Sequence, residues 1–198
     1  MSLFPETLES DRLRYEALRP ETFDPLEFYE HVSEDAPAID EITRYVAWDP
    51  HETPKESAEF IEMAGEQFAN DTASQYALYA TEGDLAGEFV GMGGLSVDWD
   101  RELGTLGTWL RKPAWGRGYS GERAARLIEL AFDRLDLAMV AVEHLPENEQ
   151  SERAIGKYVE RFGGRREGLL RQHATGPEGE GYDMVRYTIS REEFEANR

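Results

Sequence analysis

The stretch GTWLRKPAWGRGYSGERAARLIELAF (residues 107–132) combines the end of a strand, a glycine loop and an amphipathic helix. Within it, WGRGYSG (residues 115–121) has the spacing G-x-G-x-x-G. Glycines let backbone N–H groups converge, and a helix that begins there adds its positive end, so both features favour a phosphate group. The helix is predicted from apolar residues at helical spacing, namely Ala124, Leu127, Ile128, Ala131, Phe132 and Leu135.

The same glycine spacing is typical of folds that bind NAD, and Glu143 stands downstream at a strand end, where a ribose-binding acid is expected. Three features argue against NAD. RKPAW separates the strand from the first glycine, the upstream strands resemble an antiparallel meander, and too little chain follows Glu143 for a second nucleotide-binding half. NAD stays an alternative, and a glycine turn without a ligand is another. A Walker loop is excluded because no Gly-Lys-Ser/Thr follows.

Three cations lie beside these glycines, Arg111, Lys112 and Arg117, in a chain that is otherwise strongly acidic. The 198 residues include 41 acidic and 21 basic side chains, for a net charge of −20. That charge repels nucleic acids and anionic membranes, so we expect neither as a partner. The excess of acidic residues is typical of a protein adapted to high salt, where repulsion between charges is screened. Alternatively, the chain is an ordinary acidic protein, or its charge suits a cationic substrate.

Composition also bears on metals and location. The chain has no cysteine and four histidines without metal-ligand spacing, which predicts that it holds no metal. The N-terminus lacks a cationic start and an apolar signal core, and no apolar run approaches the roughly 18 residues of a membrane span. We therefore expect a cytoplasmic protein, monomeric or homodimeric, with one domain over residues 1–198.

Strands and helices follow from the hydrophobic period and from turn residues. A helix is predicted to begin at Asp24-Pro25, a second to cover residues 38–46, and a third to follow the capping box TPKE (residues 53–56). Another should start near Asn148 and end at Gly163-Gly164. Strands are predicted at residues 12–18, 75–81, 88–98, 103–110, 137–145, 166–174 and 182–190, the last two joined by a glycine-rich turn. This order predicts a mixed α/β or α+β fold around a single sheet.

At the motif level, the stretch resembles the coenzyme A-binding core of the GNAT superfamily of N-acetyltransferases. It is more closely similar to the RimJ/RimL branch of ribosomal-protein N-terminal acetyltransferases. There, a strand ending in Trp-Leu leads to Trp-Gly-x-Gly-Tyr-x-x-Glu, matched here by Trp109, Leu110, Trp115, Gly116, Gly118, Tyr119 and Glu122. PENEQS (residues 146–151) resembles the branch's Asn-x-x-Ser, and both ends of the chain resemble its first and last strands.

This resemblance implies an α+β fold with a mostly antiparallel central sheet of about seven strands, flanked by helices, whose fourth and fifth strands splay apart. It implies acetyl-CoA as acetyl donor, with pantetheine on the backbone of residues 109–111 and pyrophosphate on the amides of residues 116–121. The cofactor-binding residues it implies are Trp109, Leu110, Arg111, Gly116, Arg117, Gly118, Tyr119, Ser120, Gly121 and Asn148.

The resemblance further implies direct attack of an amine on the thioester, without a metal or a covalent enzyme intermediate. Many relatives use a tyrosine as the acid, but Ile155 stands at that place. Ser151 fills the serine position of the RimL-like branch, so we expect it to protonate or hydrogen-bond the thiolate; alternatively it only supports the helix start. Asn148 would orient the cofactor.

The base is less directly indicated, because Thr105 replaces a glutamate that is frequent in the fourth strand of the branch. We expect His144 to act as the base, since its intrinsic pKa suits the role. The alternatives are that His144 is an ordinary exposed loop histidine, or that Glu143, Asp98 or Asp183 acts through water.

The acceptor is expected to be a primary amine, and the weakly indicated base favours an α-amine or another amine of low pKa. At pH 7 about one-sixth of α-amines are neutral, against roughly one in 2,000 lysine amines, so a weak base suffices for the former. A small amine, such as a polyamine, amino acid or antibiotic, is an alternative, and a non-catalytic acyl-CoA sensor is a third possibility. The segment KYVERFGGRREG (residues 157–168) is about one turn longer than in relatives and alters the expected substrate rim.

Overall fold

Eight strands form one sheet in the computed structural model, which describes residues 2–176 and 179–198. The order across the sheet is β1-β2-β3-β4-β5-β6-β8-β7. Neighbouring pairs are antiparallel at β1/β2, β2/β3, β6/β8 and β7/β8, whereas β5 and β6 are parallel. The strands are β1 Thr7–Glu9, β2 Leu13–Ala17, β3 Ala73–Ala80, β4 Phe89–Asp98, β5 Leu103–Leu110, β6 Met139–His144, β7 Arg165–Thr175 and β8 Gly181–Ser190.

Six α-helices occur within the described part of the chain: α1 Pro25–Val32, α2 Ile39–Thr43, α3 Pro54–Ala69, α4 Tyr119–Glu129, α5 Glu149–Arg161 and α6 Arg191–Asn197. A π-helical segment, Leu130–Arg134, continues α4. None of these described helices is both long and apolar enough to span a membrane.

The mixed fold with a mostly antiparallel sheet is therefore confirmed. Three details differ from the prediction. The sheet has an eighth strand, β1, which is too short to show a period. The second helix covers only Ile39–Thr43: the left-handed Ala38 (φ 62°) delays its start, and it ends three residues earlier than predicted. The chain also turns into α6 after β8, where Ser190 and Glu193 form a capping box.

The capping residues predicted from the sequence agree with the structure at the start of α1 but not at the start of α3. Asp24 caps α1, and its carboxylate accepts a hydrogen bond from the backbone N–H of Leu26. The predicted capping box at the start of α3 is wrong in detail, because the Thr53 side chain does not cap the helix. Instead, the Glu56 carboxylate accepts hydrogen bonds from the Glu52 N–H and the Thr53 hydroxyl. The glycine-rich turn between β7 and β8 lies partly outside the described residues, at Pro177 and Glu178.

By its contacts the chain divides into two compact units. The first unit comprises Met1–Gly94 and Thr108–Tyr119, and the second comprises Leu95–Gly107 and Ser120–Arg198. In the first, α1 and α3 bury an apolar cluster against β3 and β4, with Trp48, Phe60, Tyr79 and Trp109 packed at its margin. The buried members are Leu18, Phe23, Phe28, Val32, Ile61, Ala64, Ala77, Phe89 and Met92.

In the second unit, α4 and its π-helical extension bury the stripe that the sequence predicts, including Leu127, Ile128 and Phe132. The Phe132 ring stacks on Phe194 of α6 with centroids 4.8 Å apart. Residues Met139 to His144 of β6 pair with β8 throughout. The helix that follows the glycine loop is thus held by its apolar face, and the loop lies where that helix begins.

Candidate active site

The glycine loop between β5 and α4 has the backbone geometry that only glycine adopts freely. Gly116 and Gly118 have φ of +74° and +84°, in the left-handed region that side chains disfavour. No atom lies within 4 Å of a Cβ built on Gly116 or on Gly121, so the space beside both is open. Because α4 begins at Tyr119, its first N–H groups have no partner within the helix and are available to an anion.

Trp115 and Tyr119 anchor this loop. The Trp115 indole N–H donates to the Leu110 carbonyl at 2.8 Å, which closes the loop onto the end of β5. Tyr119 is buried, and the Arg12 guanidinium lies over its ring, 5.1 Å from the centroid. Arg12 also donates to the Arg117 carbonyl at 3.0 Å. The aromatic residues of the motif therefore serve the loop's conformation and leave its glycine backbone exposed.

Close approach of β4 fixes the end of β5. Gly91 has φ +138°, and a Cβ there would lie 2.3 Å from the Trp109 carbonyl oxygen and 2.7 Å from the Leu110 Cα. A side chain cannot be accommodated at Gly91, so the Trp109–Leu110 backbone depends on this glycine.

The three cations near the loop already have partners in the first unit. Arg117 donates to both carboxylate oxygens of Asp84, at 2.5 and 2.9 Å, and this hydrogen bonding lowers the pKa of Asp84. Lys112 contacts Glu41. Arg111 donates to the Phe89 carbonyl at 2.7 Å. The Asp84 carboxylate is mostly exposed, and exposed ion pairs are weak enough to exchange for a ligand.

Pairing of β5 with β6 stops part-way along β5. The parallel register runs from Leu103↔Met139 to Leu106↔Val142, whereas β5 continues to Leu110. Directly after the last pair, the Gly107 carbonyl accepts a hydrogen bond from Arg123 Nη1 at 3.1 Å. Strands β5 and β6 correspond to the fourth and fifth predicted strands. The early end of their pairing is compatible with the expectation that the two strands splay apart.

Asn148 and Ser151 lie at the start of α5. The Asn148 side-chain oxygen accepts a hydrogen bond from the Ser151 backbone N–H at 3.0 Å, so Asn148 caps the helix. Ser151 is half-buried, and its hydroxyl has no hydrogen-bond partner among the described residues. The amide nitrogen of Asn148 and the Ser151 hydroxyl therefore remain available to a ligand. Ile155, one turn on, is buried.

His144 is the last residue of β6 and is only 4% exposed, so it is not an exposed loop histidine. Its ring stacks on Tyr187 with centroids 5.8 Å apart, and Nδ1 lies 2.8 Å from the Leu145 carbonyl. A carbonyl only accepts, so in the neutral ring Nδ1 carries the proton and Nε2 holds a lone pair. Nε2 is buried and makes no hydrogen bond within residues 2–176 and 179–198. The structure thus presents an unpaired proton acceptor at the end of β6.

The alternative carboxylates have other partners. Glu143 accepts from Arg186 at 3.2 Å and lies 3.1 Å from His173. Asp183 accepts from the backbone N–H of Gln172 at 2.9 Å. Asp98 is exposed and accepts from the backbone N–H of Arg101. Each carboxylate has a structural role where it stands.

Two features were missed by sequence reasoning. Arg123 is 1% exposed, although a charged residue in an amphipathic helix is expected at the surface. Its spacing of four and seven residues from Leu127 and Leu130 is the signal that places it on the buried stripe. The second is His51, whose Nδ1 lies 2.8 Å from the buried Ser57 hydroxyl and whose pKa is lowered by burial.

Among the described residues, no group of three or more histidine or carboxylate side chains is arranged so that it could hold a metal ion.

Comparison with known proteins gives one family. The family model for the acetyltransferase (GNAT) domain matches residues 12–158. A Bacillus licheniformis protein described as "Uncharacterized N-acetyltransferase p20" is 24% identical over 190 residues, which cover 96% of this chain and 98% of that one.

Solved structures agree in fold. RimL, a ribosomal L7/L12 alpha-N-protein acetyltransferase in complex with coenzyme A, is 15% identical with a TM-score of 0.77, over 93% of this chain and 98% of its own. MccE, a microcin C7 self-immunity acetyltransferase in complex with acetyl-CoA and AMP, is 20% identical with a TM-score of 0.77, over 96% and 98% of the two chains. At these identities the likeness establishes the fold.

Proposed function

This chain belongs to the GNAT acetyltransferase family and is an acyltransferase, and we propose that it transfers an acetyl group from acetyl-CoA to a primary amine. The observation that carries the proposal is the loop at residues 115–121. Its two left-handed glycines, the open space beside them and the start of α4 together form a backbone anion site. That site suits the pyrophosphate of coenzyme A.

We assign cofactor binding to both units, each by its own residues. In the first unit, the backbone of residues 109–111 would hydrogen-bond pantetheine, while Gly116, Gly118 and the start of α4 would bind pyrophosphate. Arg117 would exchange Asp84 for a phosphate. In the second unit, Ser120 and Gly121 continue the loop, and Asn148 offers its amide nitrogen. Acetyl-CoA, when bound, supplies an acetyl group activated as a thioester.

The base in this proposal is His144. Its Nε2 has a lone pair and no partner in the described structure, and Nδ1 is held against the Leu145 carbonyl. Such an orientation is what a general base requires, because the ring keeps one tautomer while Nε2 accepts the ammonium proton. The freed amine then attacks the thioester carbonyl carbon.

Ser151 is the proposed acid. As the carbon–sulfur bond breaks, the departing thiolate needs a proton or a hydrogen bond, and the Ser151 hydroxyl has no other partner among the described residues. The serine is also held in place, since its own N–H is bonded to the Asn148 cap. The products are an acetamide and coenzyme A.

The acceptor we propose is the α-amine of a peptide or protein. His144 has no carboxylate partner in the described structure to strengthen it as a base, which suits an amine that is already partly neutral at pH 7. RimL, of the same fold, is described as an alpha-N-protein acetyltransferase, and MccE is described as a microcin C7 self-immunity acetyltransferase. A small amine is therefore the alternative to be tested beside the peptide. The cytoplasmic location and the monomeric or homodimeric state stay predictions.

An amine screen tests this proposal. The chain has no cysteine, so every thiol released from acetyl-CoA can be counted with a thiol reagent without protein background. The panel comprises peptides with a free α-amine, the same peptides N-blocked with an internal lysine, polyamines and free amino acids, each at low and high salt. We expect the free α-amine peptides to have the highest kcat/KM. Preference for N-blocked lysine peptides would overturn the α-amine assignment.

A non-catalytic acyl-CoA sensor, the alternative left by the sequence, is at odds with the family's activity. It predicts acetyl-CoA binding by calorimetry with no thiol release for any amine in the panel, at either salt concentration. Stabilisation by NAD and not by acetyl-CoA in a thermal shift would overturn the cofactor itself.

A further inference from the structure

Arg123 is a charged side chain buried in the interior of the second unit. It lies in the first turns of α4, is 1% exposed, and is among the largest of the fully buried side chains. It faces the same side of the helix as Leu127 and Leu130, which pack in the apolar core. A guanidinium in such a place needs hydrogen-bond acceptors held in fixed positions.

The contacts of Arg123 join two elements of the second unit. Its Nη1 donates to the Gly107 carbonyl of β5 at 3.1 Å. The hydroxyl of Tyr158 in α5 lies near the guanidinium as well; burial raises the pKa of Tyr158 to about 12, and the Arg123 charge opposes that rise. The phenol is therefore neutral at ordinary pH, but its hydroxyl makes no hydrogen bond among the described residues, so the inference rests on the bond from Arg123 to the Gly107 carbonyl.

Gly107 occupies a particular place in β5. It directly follows Leu106, the last residue of β5 in the parallel register with β6. A Cβ built on Gly107 would have no atom within 4 Å, so no neighbouring group packs against that side of the residue. The Arg123 hydrogen bond is a specific restraint at the point where the parallel register ends.

We infer that Arg123 is a positioning residue for the pantetheine arm of acetyl-CoA. By holding the Gly107 carbonyl, it fixes the β5 backbone directly after Leu106, and hence the course of the strand into residues 109–111. This inference rests on the proposed function, in which the backbone of those residues binds pantetheine. It distinguishes two halves of the cofactor: the pantetheine half depends on Arg123, whereas the phosphate half depends on the glycine loop.

Calorimetry with two ligands tests this division on Arg123→Met. Acetyl-CoA carries both halves, and adenosine 3′-phosphate 5′-diphosphate carries only the phosphate half. We expect Arg123→Met to weaken acetyl-CoA binding at least tenfold and to change the binding of the pantetheine-free nucleotide less than twofold. Equal losses for both ligands would show a general structural role, and unchanged acetyl-CoA binding would show no role; either result overturns the inference.

Matched variants keep the test decisive. Arg126→Met makes the same chemical change on the same helix, where the guanidinium is partly exposed and bonded to Glu129, and we expect both affinities to stay within twofold. Arg123→Lys retains a donor and a charge, so it should fold even where Arg123→Met does not. We expect it to lose acetyl-CoA affinity at least threefold with the nucleotide unchanged, and equal changes in both ligands would contradict us.

The wild-type protein separates this inference from the proposed function. Failure of the wild type to bind acetyl-CoA would remove the proposed function. Wild-type binding of acetyl-CoA, together with undiminished binding by both Arg123 variants, would remove only the role of Arg123.

Discussion

The glycine loop of the first unit and the end of β6 in the second unit present functional groups in opposite ways. Around the loop, the cations are exposed and paired with acids or carbonyls, as in Arg117 with Asp84. At the end of β6, His144 is buried and its Nε2 lacks a partner in the described structure. The loop's side chains would therefore have to exchange partners to bind a ligand, whereas His144 Nε2 would have no partner to give up.

The difference has an energetic basis. An exposed ion pair contributes about 0–1 kcal/mol, so giving it up for a phosphate costs little. A buried polar atom left without a partner costs about 1–3 kcal/mol, so the unpaired state of His144 Nε2 is destabilising until a donor arrives. The loop's affinity should come from its backbone, and the chemistry should come from buried side chains. Four variants test that division, and a fifth tests acid stability.

Gly118→Val should have the largest effect, because the loop works through its backbone. A β-branched residue is strained at φ +84°, and its Cβ would lie 3.4 Å from Arg12 Nη2. We expect acetyl-CoA affinity to fall about 100-fold or more with a small change in Tm, measured by calorimetry and thermal melting. Gly179→Val is the matched control, at φ +85° in the turn between β7 and β8. Normal acetyl-CoA binding by Gly118→Val would refute the backbone anion site.

His144→Gln should come second. Glutamine keeps polarity but cannot take up a proton, so kcat/KM for the best amine should fall about 100-fold, within the usual range for loss of a general base. The Kd for acetyl-CoA should change less than twofold. His173→Gln, an exposed histidine on β7, is the control and should be unaffected. If His144→Gln retained full turnover, another group would have to be the base.

Ser151→Ala should lower kcat about 10- to 100-fold, since the thiolate loses its proton or hydrogen-bond donor. The helix cap uses only the backbone N–H of Ser151, so the fold and acetyl-CoA affinity should persist. Ser151→Thr, which keeps the hydroxyl, should recover part of kcat. A loss of Tm in Ser151→Ala with no loss of kcat would assign the serine to helix support alone.

Asp84→Asn should tighten acetyl-CoA binding about two- to fivefold at low salt. The carboxylate competes with the ligand for Arg117, and the amide competes less strongly. Glu82→Gln, two residues away, makes the same charge change and controls for net charge. Weaker binding in Asp84→Asn would mean that the pair organises the loop, contrary to the exchange described above.

His51→Gln should have the smallest effect, on stability alone. Burial lowers the pKa of His51 below its usual 6.5, so the unfolded chain takes up the proton first as pH falls. The stabilising contribution is therefore complete above about pH 6.5 and is lost as pH drops through that value toward the lowered native pKa. We expect the loss of Tm between pH 7.5 and pH 5.5 to shrink by about one to two °C in His51→Gln. A larger acid-induced loss in the variant would reverse the assigned sign.

Much of the fold was predictable because it depends on local pattern. The bounds of β5 and the apolar stripe of α4 follow directly from hydrophobic period, and Asp24 follows from capping chemistry. By contrast, β1 is too short to show a period, and its pairing with β2 is a tertiary contact.

The candidate site divides in the same manner. The loop was predictable because glycine readily adopts positive φ, as Gly116 and Gly118 do, and the glycines are visible in the sequence. The environment of His144 was not, because its burial and its contact with Tyr187 come from a strand far along the chain. Arg123 was overlooked because a charged residue contradicts the usual pattern of a buried face, and its acceptor, the Gly107 carbonyl, lies on another element.

The pairing of Arg117 with Asp84, on a chain of net charge −20, has a consequence for association kinetics. A polyanionic cofactor approaching this surface meets long-range repulsion, and the cation that should attract it is neutralised by a neighbouring acid. At about 1 M salt the screening length is only about 3 Å, so both obstacles weaken together. Capture of the cofactor should therefore become faster as salt rises, the reverse of what holds for an enzyme that steers its anionic ligand with a basic surface.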